Sequence, residues 1–118
     1  MQTYELTVRE RAITRTSGDP TMVRTSRGVD RLHILFDSPE WLDFDLSVAI
    51  CNGDVLIETP VTVTSLVGDH LAECYVDVPD EVLESLGALG VTVHGTDSND
   101  NHIITERAFP FTVEQEGD

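Results

Sequence analysis

The sequence predicts an all-β fold, an antiparallel sandwich with one short helix, on three observations. From Leu32 to Phe36, Leu32, Ile34 and Phe36 alternate with His33 and Leu35. From Phe44 to Cys51, Phe44, Leu46, Val48 and Ile50 alternate with Asp45, Ser47, Ala49 and Cys51. Successive side chains leave a strand on opposite sides, so period two marks a strand with one buried face. Turn clusters recur between short apolar runs, among them Ser17-Gly18-Asp19-Pro20, Asn52-Gly53-Asp54 and Gly68-Asp69. A single stretch, Pro79 to Leu86, carries helix signals. Many short strands with regular turns and one capping helix read as an immunoglobulin-like or jelly-roll-like sandwich.

Taken in order, Tyr4, Leu6 and Val8 alternate and give a first strand, which Ala12 to Arg15 continues after a kink. Thr21 to Thr25 is a short strand closed by Ser26-Arg27-Gly28. The two central strands follow, joined by an acidic turn that carries the sole tryptophan, Trp41, placed to close one end of a core with Phe36. Gly53 accepts the positive φ of a tight hairpin turn. Val55 to Glu58 is a strand interrupted by Pro60, hence an edge or a bulge. Val61 to Leu66 and Leu71 to Val78 are further strands, the second burying Ala72, Cys74, Val76 and Val78. Pro79 opens the helix, Asp80 and Glu81 suit its positive end, and Gly87 its C-terminus. Leu89 to Gly95 and His102 to Val113 are the last strands, the latter kinked near Pro110. Residues 114–118 read as an exposed acidic tail.

A chain of 118 residues with 40% hydrophobic content is enough for one domain with one core, read here as residues 1–118. No apolar run approaches the roughly 20 residues of a membrane-spanning helix, so no membrane insertion is expected. The N-terminus carries no apolar stretch of the kind a signal peptide needs. The net charge is −15, and every cation is Arg. Such a surface repels phosphate backbones, which argues against nucleic acid. The charge is uneven. Residues 1–31 hold six Arg against four acids, a net +2, while residues 32–118 hold Arg107 against eighteen acids, a net −17. Either the N-terminal strands pack among acidic neighbours of their own domain, or Arg9, Arg11 and Arg15 contact another subunit in a homo-oligomer. In the second case Tyr4, Leu6 and Val8 would add a strand to a neighbour's edge.

Chemistry-bearing constellations are few. Cys51 lies off the buried face and Cys74 on one, so no disulfide between them is expected, and two free thiols fit a reducing compartment. Asp97, Asn99 and Asp100 cluster oxygen donors of the kind Ca²⁺ takes, but without the spacing of a Ca²⁺ loop, and an Asx-rich hairpin tip accounts for them. His94 and His102 flank that loop as cross-strand neighbours, and with Asp97 or Asp100 they would form an incomplete Zn²⁺ set. His33 and His70 point to nothing beyond surface or edge positions. Asp43 and Asp45 read as a solvated pair rather than a glycosidase dyad. No nucleophile elbow and no Gly-rich phosphate loop is present, so neither an enzyme nor a cofactor is expected.

The order of five segments resembles a known family. Phe36-Asp37-Ser38-Pro39-Glu40-Trp41 is followed by Val48-Ala49-Ile50-Cys51-Asn52-Gly53-Asp54, then Val78-Pro79-Asp80-Glu81-Val82-Leu83, then Gly90 with Val93-His94-Gly95-Thr96, and last Val113-Glu114-Gln115-Glu116-Gly117. This arrangement, over about residues 28–118, resembles small phage or prophage tail and baseplate-associated structural proteins. The family's aromatic residues beside the helix-start Pro and in the last strand are replaced here by Asp80 and by a Glu106-Arg107 region without Trp, and Val55 to Leu71 is longer than usual. The resemblance implies a sandwich in the virion, assembled in the host cytoplasm, with other tail proteins as partners and no catalytic residues. The alternative is a carbohydrate- or host-surface-binding sandwich, which needs an exposed aromatic platform.

Overall fold

Alternation along each run decides which side chains face inward, and here the inward faces of two sheets meet. The computed structural model describes residues 2–17, 21–23, 30–68 and 70–114. Its strands are β1 Gln2–Arg9, β2 Ala12–Ser17, β3 Thr21–Val23, β4 Asp30–Phe36, β5 Asp45–Asn52, β6 Val55–Val61, β7 Thr64–Ser65, β8 Ala72–Asp77, β9 Gly87–Thr96, β10 His102–Ile104 and β11 Ala108–Glu114. One sheet runs β2-β1-β4-β8-β7 and the other β3-β11-β9-β5-β6, with β10 also on β9. This is an all-β sandwich. The sheets are mixed, not purely antiparallel as the sequence suggested: β1 lies parallel to β4, and β3 parallel to β11.

Between the sheets, Tyr4, Leu6 and Val8 of β1, Leu32, Ile34 and Phe36 of β4, and Ala72, Cys74 and Val76 of β8 face Leu46, Val48 and Ile50 of β5 and Leu89, Val91 and Val93 of β9, all buried. Tyr4 meets Phe111 edge-on across the gap, with ring centroids 5.1 Å apart. Trp41 is 0% exposed and packs against Phe36. Apolar burial of this kind contributes about 25 cal/mol per Å² and is the main force holding the sheets together. Both cysteines are free. Burial, and secondarily the charge of Glu73, pushes the Cys74 thiol up to about 12. Burial also raises the Asp30 carboxyl, whose Oδ2 finds no hydrogen-bond partner among the described residues.

Several boundaries differ from the sequence reading, each for a local reason. Ala12 to Ser17 does not extend β1 but folds back on it, through a turn in which Glu10 holds φ 55°. The acidic turn around Trp41 is a 3₁₀ helix, Pro39–Asp43, so Asp43 and Asp45 share no strand face. The helix expected from Pro79 to Leu86 is also a 3₁₀ turn, Asp80–Leu83, with Pro79 at its N-cap. Asn52 explains its shortness: its buried side-chain amide donates to the carbonyls of Val82 (2.8 Å) and Ser85 (2.7 Å). Gly87 starts β9 at φ 136° and does not cap a longer helix.

The run Val61 to Leu66 is divided: β6 ends at Val61, and β7 belongs to the other sheet. His102 to Val113 is two strands, because Thr105 takes over the pairing between them. Its N–H donates to the Val93 carbonyl and its Oγ1 accepts from the Val93 N–H, both at 3.0 Å. Pro110 lies in a bulge of β11, where Phe109 and Pro110 together oppose Gly90. The turns read at Ser17-Gly18-Asp19-Pro20 and Ser26-Arg27-Gly28, the end of the strand Thr21 to Thr25, and the tail at 115–118 lie outside the described residues.

Candidate protein contact surface

The arginines expected at a subunit contact are tied to their own domain. Arg9 Nη2 lies 3.3 Å from Asp37 Oδ2, and Arg11 Nε 4.0 Å from Glu40. The backbone around them is fastened more tightly. Glu10 N–H donates to Ser38 Oγ at 2.6 Å, Trp41 Nε1–H to the Glu10 carbonyl at 2.8 Å, and Glu106 N–H to the Arg11 carbonyl at 2.8 Å. Arg15 is exposed on edge strand β2. Tyr4, Leu6 and Val8 fill the local core and β1 is an interior strand, so it is not available to a neighbour's edge. The basic segment therefore has an intramolecular use.

His33 and His70 do more than sit at the surface. His70 Nδ1 is 2.6 Å from Asp37 Oδ1, and this bond, with help from Arg9, holds the Asp37 carboxyl below the usual carboxylate range. His33 Nε2 is 2.8 Å from Glu73 Oε1, and its ring stacks on Tyr75 at 4.5 Å. Arg31 also lies over that ring, 4.4 Å from its centroid. The outer face of the first sheet is thus a set of side chains already engaged with one another. Beside it is a cleft of about 190 Å³ lined by Thr7, Arg9, Thr14 and Thr16.

The Asp97–Asn101 loop is a self-satisfied turn. Asp97 accepts from the Asn99 and Asn101 N–H groups and from Asn101 Nδ2, all at 2.9 Å, and the Asn101 bonds lower its carboxyl. Asp100, at φ 64°, closes the turn, and Asn99 is exposed at its tip. His94 Nε2 and His102 Nδ1 are 3.2 Å apart, with ring planes 2° from parallel and centroids 5.4 Å apart. That centroid distance is close to two ring radii plus one hydrogen bond, so the imidazoles meet edge to edge with one donating and the other accepting. Among the described residues, no group of three His, Cys, Asp or Glu side chains is arranged to hold a metal ion.

The outer face of the second sheet has a different character. Register places Phe109, Gly90, Cys51 and Leu56 in one row across β11, β9, β5 and β6. Phe109 is 61% and Leu56 54% exposed. Gly90 is required at the centre: a Cβ there would stand 2.7 Å from Cys51 Sγ, 3.2 Å from Phe109 and 3.3 Å from Arg107. Ala49, Ala88 and exposed Ile104 extend the apolar row along the sheet, with Arg107, Glu58 and His94 at its margin. Gly95 works on the opposite face, where a Cβ would press at 2.8 Å on Ile103, Leu46 and Phe44.

This sheet ends in an open edge. Gly53 and Asp54 form the two-residue turn between β5 and β6, and φ 62° at Gly53 is the signature of a type II′ hairpin. The flanking pair Asn52 and Val55 is then hydrogen-bonded, and bonding alternates along the ladder. Leu56, Glu58 and Pro60 fall in the intervening pairs, so their backbone groups point away from β5. Pro60 has no N–H to lose there, which explains its tolerance in the strand. Sequence reasoning recognised the edge through Pro60 but missed the clamp of Asn52 and the row around Gly90, because both depend on strand order. No known protein-family model matches the chain, and no curated protein matches it either.

Proposed function

We propose that the chain is a non-enzymatic structural or accessory component of a phage or prophage tail or baseplate, acting through protein–protein contacts. The observation that carries the contact role is the outer face of the second sheet. It presents Leu56, Phe109 and Ile104 to solvent around a floor of small residues, beside the open edge of β6. Exposed apolar side chains gathered on one face and rimmed by polar groups mark interaction sites. The tail assignment is supported by the ordered resemblance, whose Trp41, Gly53, Pro79 and Gly95 have physical uses: a sealed core end, a hairpin turn, a 3₁₀ cap and a close approach.

In this role the domain is a rigid spacer that offers one face to its neighbours in the virion, and assembly takes place in the host cytoplasm. Mass spectrometry and antibody-labelled electron microscopy of particles induced from the source strain test it. Detection of the chain at the tail or baseplate is expected. Its absence from purified particles, or a glycan-array signal abolished by Phe109→Ala, overturns the reading in favour of the ligand-binding alternative.

A further inference from the structure

We propose that the open edge of β6 is a docking edge for an extended, cationic segment of another protein, which adds there as a further strand. This deepens the contact role and rests on it. The hairpin register directs the N–H and C=O groups of Leu56 and Glu58 outward, and edge groups of this kind pair readily with an added strand. Pro60 supplies a carbonyl but no N–H, which limits the usable edge to Val55–Thr59. Val55 and Leu56 are exposed along it and offer apolar contact.

Charge selects the occupant. Glu58 is exposed at the middle of the edge, and Asp54 at its start. The 3₁₀ turn bearing Asp80 and Glu81 packs against β6 at the same end. Glu58 Oε2 accepts from Ser47 Oγ at 2.9 Å, while among the described residues its Oε1 takes no hydrogen bond. A second copy fits poorly, because pairing β6 with itself brings together two bodies of net charge −15. A strand with Lys or Arg at alternate positions places its cations beside Glu58 and its apolar residues against Val55.

The test titrates the ¹⁵N-labelled full chain with the peptide acetyl-Lys-Val-Lys-Val-Lys-amide and, as control, its Glu-for-Lys counterpart. Amide shifts confined to β6 and exchange at Leu56 and Glu58 slowed about tenfold or more are expected, with the acidic peptide inert. Glu58→Lys should weaken binding about tenfold. Leu56→Pro, which removes an outward N–H that no ladder bond uses, should abolish binding while leaving the circular dichroism unchanged. Shifts spread over the acidic surface, equal binding of both peptides, or a β6-mediated dimer overturns the proposal. If Leu56→Pro unfolds, the Glu58→Lys and exchange measurements still decide. Failure of the peptide to bind refutes the edge and leaves location in the particle untouched, whereas absence from particles refutes the tail assignment alone.

Discussion

Two hairpins stand at opposite edges of the sandwich and are held very differently. The β1–β2 hairpin carries Arg9, Arg11 and Arg15, and its turn is fastened by Ser38, Trp41 and Glu106 through three hydrogen bonds. The β5–β6 hairpin turns on Gly53 and Asp54, both exposed, and its outer strand ends the sheet. Charge alone marked the first as the interaction element. Backbone bonding reverses that: the basic hairpin is a structural member, and the acidic one has the available edge. A surface charge shows what a segment attracts, whereas the hydrogen bonds show whether it is already spoken for.

The most severe way to break the comparison is to delete residues 1–16. Burial of Leu6, Val8 and Tyr4 is worth about 1.5–3 kcal/mol each, and total stability is typically only about 5–15 kcal/mol. The product should be unfolded by circular dichroism. A folded monomer would restore the mobile-arm account and remove the contrast between the hairpins.

Trp41→Ala comes next. It empties a fully buried site and leaves the Glu10 carbonyl without its donor, so a loss of about 3–5 kcal/mol in urea melts is expected. An unchanged midpoint would show that the first hairpin is not locked at its turn.

Asp37 sharpens the same point through pH. His70 and Arg9 lower its folded pKa below the model value of 3.8, so its stabilisation is present above that value and fades as acid carries the pH through the folded pKa. Asp37→Asn should cost about 1 kcal/mol at neutral pH. The gap to wild type should close as the pH falls below about 4. A gap constant from neutral pH to strong acid would mean that the carboxylate charge contributes nothing at this joint.

Salt has the smallest expected effect. Screening over a Debye length of about 10 Å at 0.1 M weakens the exposed Arg9–Asp37 pair, but it relieves repulsion among eighteen acids on residues 32–118 more. The thermal midpoint should therefore rise with NaCl. A falling midpoint would show that the basic hairpin's ion pairs outweigh the acidic body.

The sequence by itself determined which residues are buried along each strand. Leu32, Ile34 and Phe36, then Leu46, Val48 and Ile50, then Ala72, Cys74 and Val76 all face inward, because strand parity is a local property that survives any arrangement of the sheets. It also determined the turn at Gly53 and the burial of Trp41, since backbone sterics and ring size act locally. Strand order came only from the tertiary structure. The parallel pairing of β1 with β4, the transfer of Thr64–Ser65 to the other sheet, and the split at Thr105 all rest on hydrogen bonds between residues far apart in the chain, which no local pattern encodes. The candidate site falls on that side of the line. Phe109, Gly90, Cys51 and Leu56 form one row only because β11, β9, β5 and β6 are neighbours, and β6 offers its backbone only because it is last.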